Sequence, residues 1–418
     1  MFWKIYTPLY PLFLEGKNRF KIPIHELSVL ALLRQGGTDK KLSIHELNLR
    51  FFDLNAIIKS DSYDFINLFA QMYHRFRGDG SSLATQPPVE FFLKANPDNH
   101  QGKPIMILDG EVRSLSDPGL LEGYAYESIL IGMITRMRSH LLIHAGVVSR
   151  NGQGVILAAD ARHGKTTLVL ELVRRGFRFL SDEMAALGRA DRKVHPFPRS
   201  LRVRRGTLEL TGFSEVAAGA PTWLGKYLLD IEEIKPGSLG EAVPVSHIII
   251  LQDPAEIRGM TQDNSGQEVC VLVDRQDEFF LDAVRQNEDV RDLRVDADGN
   301  LPTLRFRAIR ANFVLSQIET LCREHQILVL DVTKGEKDHP TFKTPAALKS
   351  IPRSQASMEL LNGFQGGYMS ELVRTEFGGS SARLFMELSA IVGQANCYHL
   401  SVGPLHEMAD LVCSAVGA

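Results

Sequence analysis

Gly164, Lys165 and Thr166 close a stretch that begins at Ala159 and follows the phosphate-loop pattern G-x-x-x-x-G-K-[ST] except at its first position. The residue types suit anion binding. Backbone N–H groups at the start of a helix present positive dipole ends to phosphate oxygens. A lysine in the place of Lys165 brings a point charge to the β- and γ-phosphates, and the hydroxyl after it ligates Mg²⁺. The pattern makes Ala159, Arg162, His163, Gly164, Lys165, Thr166 and Thr167 the candidate nucleotide-binding residues. Alanine in place of the first glycine costs on the order of 1 kcal/mol only where φ must be positive.

Three further groups lie near this loop in sequence. Asp182 and Glu183 follow an apolar run, Phe177, Arg178, Phe179, Leu180, Ser181. A carboxylate delivered by a strand end beside a phosphate loop suits Mg²⁺ binding or base catalysis. The same residues also suit a helix N-cap, with Ser181 or Asp182 just ahead of Met184. His144 sits in an apolar run before the loop, where a lone histidine is as a rule a satisfied core residue. Arg199, Arg202, Arg204 and Arg205 form the strongest basic cluster. They fit either a clamp for phosphate or an acidic acceptor, or an exposed strand face.

The elements that must hold these residues can be read from periodicity. A strand is predicted over 141–149, a hairpin turn at Asn151 and Gly152, and a second strand over 154–159. A helix follows over 165–175 with Gly176 in the place of a C-cap glycine, then a strand over 177–181. Strand, loop, helix and strand in this order form the context that a phosphate loop requires. Earlier, a helix is predicted over 64–77, a strand over 104–110 and a helix over 119–139. Later come a strand at 247–251 and an alternating set over 256–341: strand 268–274, helix 278–286, strand 301–309, helix 311–325 and strand 327–333. A helix-rich tail from 344 ends in a strand over 397–403 and a helix over 404–416.

The expected fold class is therefore α/β. Its organisation is expected to be a mixed region over 1–104, a phosphate-loop core over 105–255, an inserted small α/β unit over 256–341 and the rest of the core over 342–418. Ile-His-Glu-Leu occurs twice, at Ile24 and at Ile44, but Val29 and Leu49 stand where a zinc-protease HExxH helix needs its second histidine. The 418 residues carry a formal net charge of −3, which gives no reason to expect nucleic acid or an anionic membrane as partner. Cys270, Cys322, Cys397 and Cys413 show neither CxxC pairs nor metal-ligand spacing, as suits a reducing cytoplasm. The first twenty residues lack a basic region followed by a continuous apolar core, so no signal peptide is expected there.

Residues 141–187 resemble the catalytic core of the HPr kinase/phosphorylase superfamily. Its members carry a histidine in the strand before the loop, a loop Gly-x-Ser-Gly-x-Gly-Lys-[ST], a helix ending in Arg-Gly-[HF] and a strand end Ala/Ser-Asp-Asp. Here His144 precedes Lys165 by 165 − 144 = 21 positions and Asp182 follows it by 182 − 165 = 17, both in agreement with the family. Pro196, Phe197, Pro198 and Arg199 resemble its proline-rich segment, and residues 397–404 its terminal strand. The resemblance is specific over 141–202 and diffuse over 105–253 and 344–418. The chain departs from the family pattern at Ala159, Ala161 and Arg162 in the loop and at Glu183 in place of the second aspartate. The segment specific to members that also reverse the phosphorylation has no match.

The resemblance implies an ATP- and Mg²⁺-dependent kinase that phosphorylates a hydroxyl, typically serine, of a peptide, small protein or small molecule. It makes Asp182 the base on the acceptor hydroxyl, Lys165 the group on the β- and γ-phosphates, and Thr166, Asp182 and Glu183 the metal ligands, with His144 near the γ-phosphate. A homo-oligomer is also implied, since family kinases often are. Two other readings stay open: a nucleotide-binding regulatory or scaffold protein with an altered loop, and a partner-stimulated ATPase in which Glu183 positions water. Acceptor choice is expected to reside in 1–104 and 256–341.

Overall fold

The structure, a computed structural model, describes residues 43–78, 88–94, 105–108, 111–114, 125–126, 129–130, 132–133, 135–159, 163–223, 226–252, 266–273, 275–296, 302–308, 314–315, 317–318, 321–322, 325, 327, 329–334, 345–362, 377 and 380–417. Arg162, the Ile24 copy of Ile-His-Glu-Leu and much of the helices predicted over 119–139 and 311–325 lie outside the described residues. The chain divides between Ser139 and His140 into two compact units.

In the first unit the described residues form a five-stranded sheet, in the order β1 (His45–Phe51), β2 (Leu54–Ser60), β3 (Val89–Lys94), β4 (Ile105–Leu108) and β5 (Glu111–Ser114). Alternation along β1 buries Leu47, Leu49 and Phe51, so the Ile44 copy of Ile-His-Glu-Leu runs into an extended strand, not a helix. Helix α1 (Tyr63–Met72) starts where Ser62 Oγ accepts from the Phe65 N–H, and it buries Phe65, Ile66, Phe69 and Ala70. It is shorter than predicted, because a 3₁₀ turn at His74–Phe76 takes over after Tyr73. The boundary expected between 104 and 105 is corrected as well. β4 pairs with β3 and β5 with β4, so the first unit continues past that point to Ser139.

The second unit contributes, in chain order, β6 (His140–Arg150), β7 (Gln153–Ala159), β8 (Arg178–Ser181), β9 (Met184–Gly188), β10 (Lys193–His195), β11 (Leu201–Val203), β12 (Thr222–Trp223), β13 (Lys226–Leu229), β14 (Val243–Gln252), β15 (Gln267–Val273), β16 (Val290–Asp296), β17 (Thr303–Ala308), β18 (Val329–Lys334), β19 (Ala347–Ser350) and β20 (Asn396–Ser401). Among the described residues an eight-stranded sheet runs β10, β9, β6, β7, β14, β20, β19, with β8 also pairing β6. The hairpin between β6 and β7 turns on Asn151 and Gly152, whose φ values of 52° and 75° are the ones a two-residue turn of this twist needs. β7, β14 and β20 are parallel, with Ala159 beside Leu251 and Leu251 beside Leu400. Their carboxyl ends therefore share one sheet edge, the usual place for ligands in open α/β sheets.

Helix α2 (Lys165–Arg174) leaves this edge and packs with the last helix, Leu405–Val416, over Leu157, Ile249, Leu251 and Leu400. It ends in a tight C-cap. Phe177 N–H donates to Leu172 C=O and Gly176 N–H to Val173 C=O, with Gly176 at φ 98°. The Lys235 ammonium donates to the Val173 carbonyl at 2.6 Å and closes the same end.

Residues 267–334 build a separate antiparallel sheet in the order β16, β17, β15, β18, inserted in sequence between the sheet neighbours β14 and β20. Helix α3 (Glu278–Arg285), capped by Asp277, covers a core of its own that includes Val269, Val271, Phe280, Leu304 and Phe306. The whole is a mixed α/β fold of several sheets. No helix among the described residues is long and apolar enough to cross a membrane.

Candidate functional site

The site is assembled by an interruption in one strand track. β8 and β9 both run antiparallel to β6: Ser181 lies opposite Val147, and Met184 opposite His144. Asp182 and Glu183 fall in the gap between the two pairings, where β6 presents Ala145 and Gly146. The Ala145 N–H donates to the Glu183 carbonyl at 3.0 Å and keeps the track attached. Breaks of this kind re-aim side chains, and here two consecutive acids are the ones redirected. The N-cap reading of Ser181 and Asp182 is thereby corrected, since Met184 begins strand β9 and not a helix. Ser181 Oγ accepts from the Glu183 and Met184 N–H groups and stabilises the turn between the strands.

Gly146 lets the neighbouring helix come close. A Cβ at that position would meet Val169 Cγ2 at 2.6 Å and Lys165 Cγ at 3.3 Å, so only glycine lets α2 sit this near β6. Gly164 caps α2 with φ 77° and ψ 20°, a left-handed conformation that glycine adopts without steric penalty. Ala159 ends β7, and Lys165 opens α2 with 8% of its surface exposed. His163 is also buried. Lys165 is thus held at the shared carboxyl edge of the parallel strands, directly after the left-handed Gly164.

Thr166 and Asp182 come together. The Thr166 Oγ1 hydroxyl lies 3.4 Å from Asp182 Oδ2, a long contact from hydroxyl to carboxylate. Asp182 is 2% exposed, and its other oxygen, Oδ1, is buried with no hydrogen-bond partner among the described residues. Burial pushes the Asp182 carboxyl up to about 6, Arg199 pulls against that shift, and the Glu183 charge adds to it. An under-coordinated buried carboxylate beside a hydroxyl is a fitting donor set for a hard divalent cation. The protein alone offers no more than that. Among the described residues no group of three or more His, Cys, Asp or Glu side chains could hold a metal ion.

Glu183 is engaged differently. Its Oε2 accepts from the Arg199 guanidinium at 2.5 Å, and its Oε1 lies 3.6 Å from His144 Nδ1. Burial would raise the Glu183 carboxyl, but Arg199, His144 and Lys165 together hold it well below the usual carboxylate range. Burial, and then the charge of Lys165, push His144 down to about 3, so its imidazole is neutral at physiological pH. His144 Nδ1 has no hydrogen-bond partner among the described residues. His144 is therefore a neutral polar group that faces Glu183.

Arg199 is a site residue for which the sequence offered no single reading. The exposed-strand-face alternative fails for it, since its side chain is 1% exposed. The Phe197 N–H donates to Leu180 C=O, the Arg199 N–H donates back to Phe197 C=O across Pro198, and the Phe197 ring is buried. The Pro-Phe-Pro-Arg run thus fastens Arg199 beside the end of β8. Arg202 stacks its guanidinium over the Trp223 ring at 4.5 Å, and Arg205 pairs with Glu209 on an exposed helix face. The Thr167 hydroxyl bonds Thr207 Oγ1 at 3.1 Å and ties α2 to the helix Arg205–Thr211.

No family model matches the chain. Among solved structures the chain is similar to the Hpr(Ser) kinase/phosphatase from Coxiella burnetii, with 19% identity over 44% of this chain and 95% of that one, at a TM-score of 0.20. So low a TM-score transfers no geometry to this chain.

Proposed function

We propose that the corner formed by Gly164, Lys165, Thr166, Asp182 and His144 binds a nucleoside triphosphate and transfers its terminal phosphoryl group to a hydroxyl. The observation that supports this reading most is the buried Asp182 carboxylate, with one oxygen unpartnered among the described residues and the other facing Thr166 at the start of α2. A carboxylate kept in so unfavourable a setting makes sense where a cation and a reacting hydroxyl complete its surroundings.

Each residue has a distinct task in this proposal. Gly164 and the first N–H groups of α2 cradle phosphate oxygens, and Lys165 neutralises charge on the transferring group. Thr166 and Asp182 would hold Mg²⁺, which supplies charge neutralisation at the phosphates. Asp182, ionised above about pH 6, accepts the proton of the acceptor hydroxyl as that oxygen bonds to the terminal phosphorus and the bond to the leaving nucleoside diphosphate breaks. His144, neutral and close to Glu183, offers a hydrogen bond without adding charge. Glu183, bonded to Arg199, is poorly placed to orient water, which speaks against the ATPase reading.

The test is incubation with γ-labelled ATP, Mg²⁺ and peptide, small-protein or small-molecule hydroxyl acceptors. Label is expected in an acceptor and is expected to be lost in Lys165→Ala and in Asp182→Asn. Transfer that survives both substitutions would sink the assignment, and ATP binding with no transfer to any acceptor would favour the regulatory reading.

A further inference from the structure

The two adjacent acids are not equivalent, and the difference bears on how the corner acquires its divalent cation. This inference rests on the phosphoryl-transfer reading. Asp182 presents an Oδ1 that has no partner among the described residues and an Oδ2 that faces the Thr166 hydroxyl. The Glu183 carboxylate is instead held by a buried guanidinium at 2.5 Å. Arg199 is fixed from the backbone side by the bonds through Phe197 and Leu180, and its burial leaves the side chain little room to swing away. A bonded Arg–carboxylate pair in such surroundings keeps its geometry, and the carboxylate lone pairs directed at Arg199 are not available to a metal.

We infer that Arg199 is a positioning residue that withdraws Glu183 from the metal, leaving Thr166 and Asp182 as the protein ligands and making cation binding conditional on bound nucleotide. Two protein oxygens are too few for the six-coordinate shell of Mg²⁺, which in such sites is completed by water and by substrate phosphates. The cation then enters with the triphosphate and leaves with the product. Glu183 contributes through its charge and its contact with His144 Nδ1, not as a ligand. The assignment of Glu183 as a metal ligand is replaced accordingly.

Mn²⁺ titrations followed by electron paramagnetic resonance, with and without a non-hydrolysable ATP analogue, test this without any activity readout. Wild-type protein is expected to bind Mn²⁺ at least about tenfold more tightly with the analogue than without it. Arg199→Met frees Glu183 to join Asp182, so nucleotide-free Mn²⁺ binding is expected to rise by about tenfold or more. That gain is expected to vanish in the double variant Arg199→Met/Glu183→Gln and to be absent in Arg199→Lys, which keeps the charge. A merely structural role for Arg199 predicts no gain of binding that depends on Glu183. Glu183→Gln alone is expected to leave Mn²⁺ affinity in the presence of the analogue within about twofold of wild type.

Tight nucleotide-free Mn²⁺ binding in the wild type that is lost in Glu183→Gln would overturn the inference, as would a folded Arg199→Met protein without the gain. If Arg199→Met does not fold, the Glu183→Gln titration decides alone. Failure of the wider reading looks different. A protein that binds no ATP analogue at all refutes the phosphoryl-transfer site, while the nucleotide-free arms still report whether Arg199 withholds Glu183.

Discussion

The corner around Asp182 and the inserted sheet over 267–334 handle charge in opposite ways. In the corner, Lys165, Asp182 and Arg199 are each less than 10% exposed, and two acids follow one another in sequence at the break between β8 and β9. Among the described residues of the inserted sheet the fully buried side chains are apolar, including Val269, Val271, Val273, Phe280, Val284 and Leu304. Its ion pairs lie at the surface, as with Arg305 and Asp296 or Arg285 and Asp282. Surface pairs contribute about 0–1 kcal/mol, whereas burying charge carries a desolvation penalty that only close pairing or function offsets. The inserted sheet is what a fold built for stability looks like. The corner departs from that pattern in a way that stability alone does not explain.

The largest expected effect attacks the corner itself. Asp182→Asn preserves shape and removes the base, so phosphoryl transfer is expected to fall by about 10²–10⁴-fold in a steady-state assay. Equal transfer in the variant would place the corner alongside the inserted sheet as a structural feature. Next in size is Gly146→Ala. Its Cβ would stand 2.6 Å from Val169 Cγ2, so urea unfolding is expected to show a loss of about 1–3 kcal/mol as α2 is pushed from β6. Nucleotide affinity should weaken with it, because Lys165 starts the displaced helix.

A pair of substitutions sharpens the contrast at smaller scale. Glu171, 2% exposed, bonds both Arg174 and Arg175, and Glu171→Ala is expected to cost about 1–3 kcal/mol by thermal or denaturant unfolding. Arg305→Ala, on the exposed face of the inserted sheet, is expected to cost less than about 1 kcal/mol and to leave transfer unchanged. Equal costs for the two would remove the distinction between buried and surface charge on which the comparison rests.

Much of the framework was legible because local pattern and tertiary role agree. The amphipathic run after Lys165 with Gly176 behind it foretold α2, and Asn151 with Gly152 foretold the hairpin between β6 and β7. The inserted sheet was readable strand by strand over β15, β17 and β18, although β16 was missed. Its residues from Val290 to Asp296 carry mixed charge and remain half-exposed. β9 was missed for the opposite reason. Met184 through Gly188 are buried on both faces, so no alternation marks them, and two acids just ahead mimic a helix start.

Within the site, His144, Lys165, Thr166 and Asp182 were legible from type and spacing. The contact between Arg199 and Glu183 was not. In sequence Arg199 opens a charge-rich run that suits an exposed strand equally well. Its burial follows from two backbone hydrogen bonds at Phe197 and Arg199 that periodicity does not encode. The only sequence signal for it is the Pro-Phe-Pro-Arg run itself, with a proline on each side of an apolar anchor.

Calorimetric titration of Mg²⁺·ATP into the wild type and Lys165→Ala tests the central claim most directly. The account predicts a saturable exothermic isotherm for the wild type and an affinity at least about tenfold weaker in the variant, because a buried cation at the start of α2 is then missing from the phosphates. Indistinguishable isotherms for the two proteins, or no binding to the wild type, would contradict it.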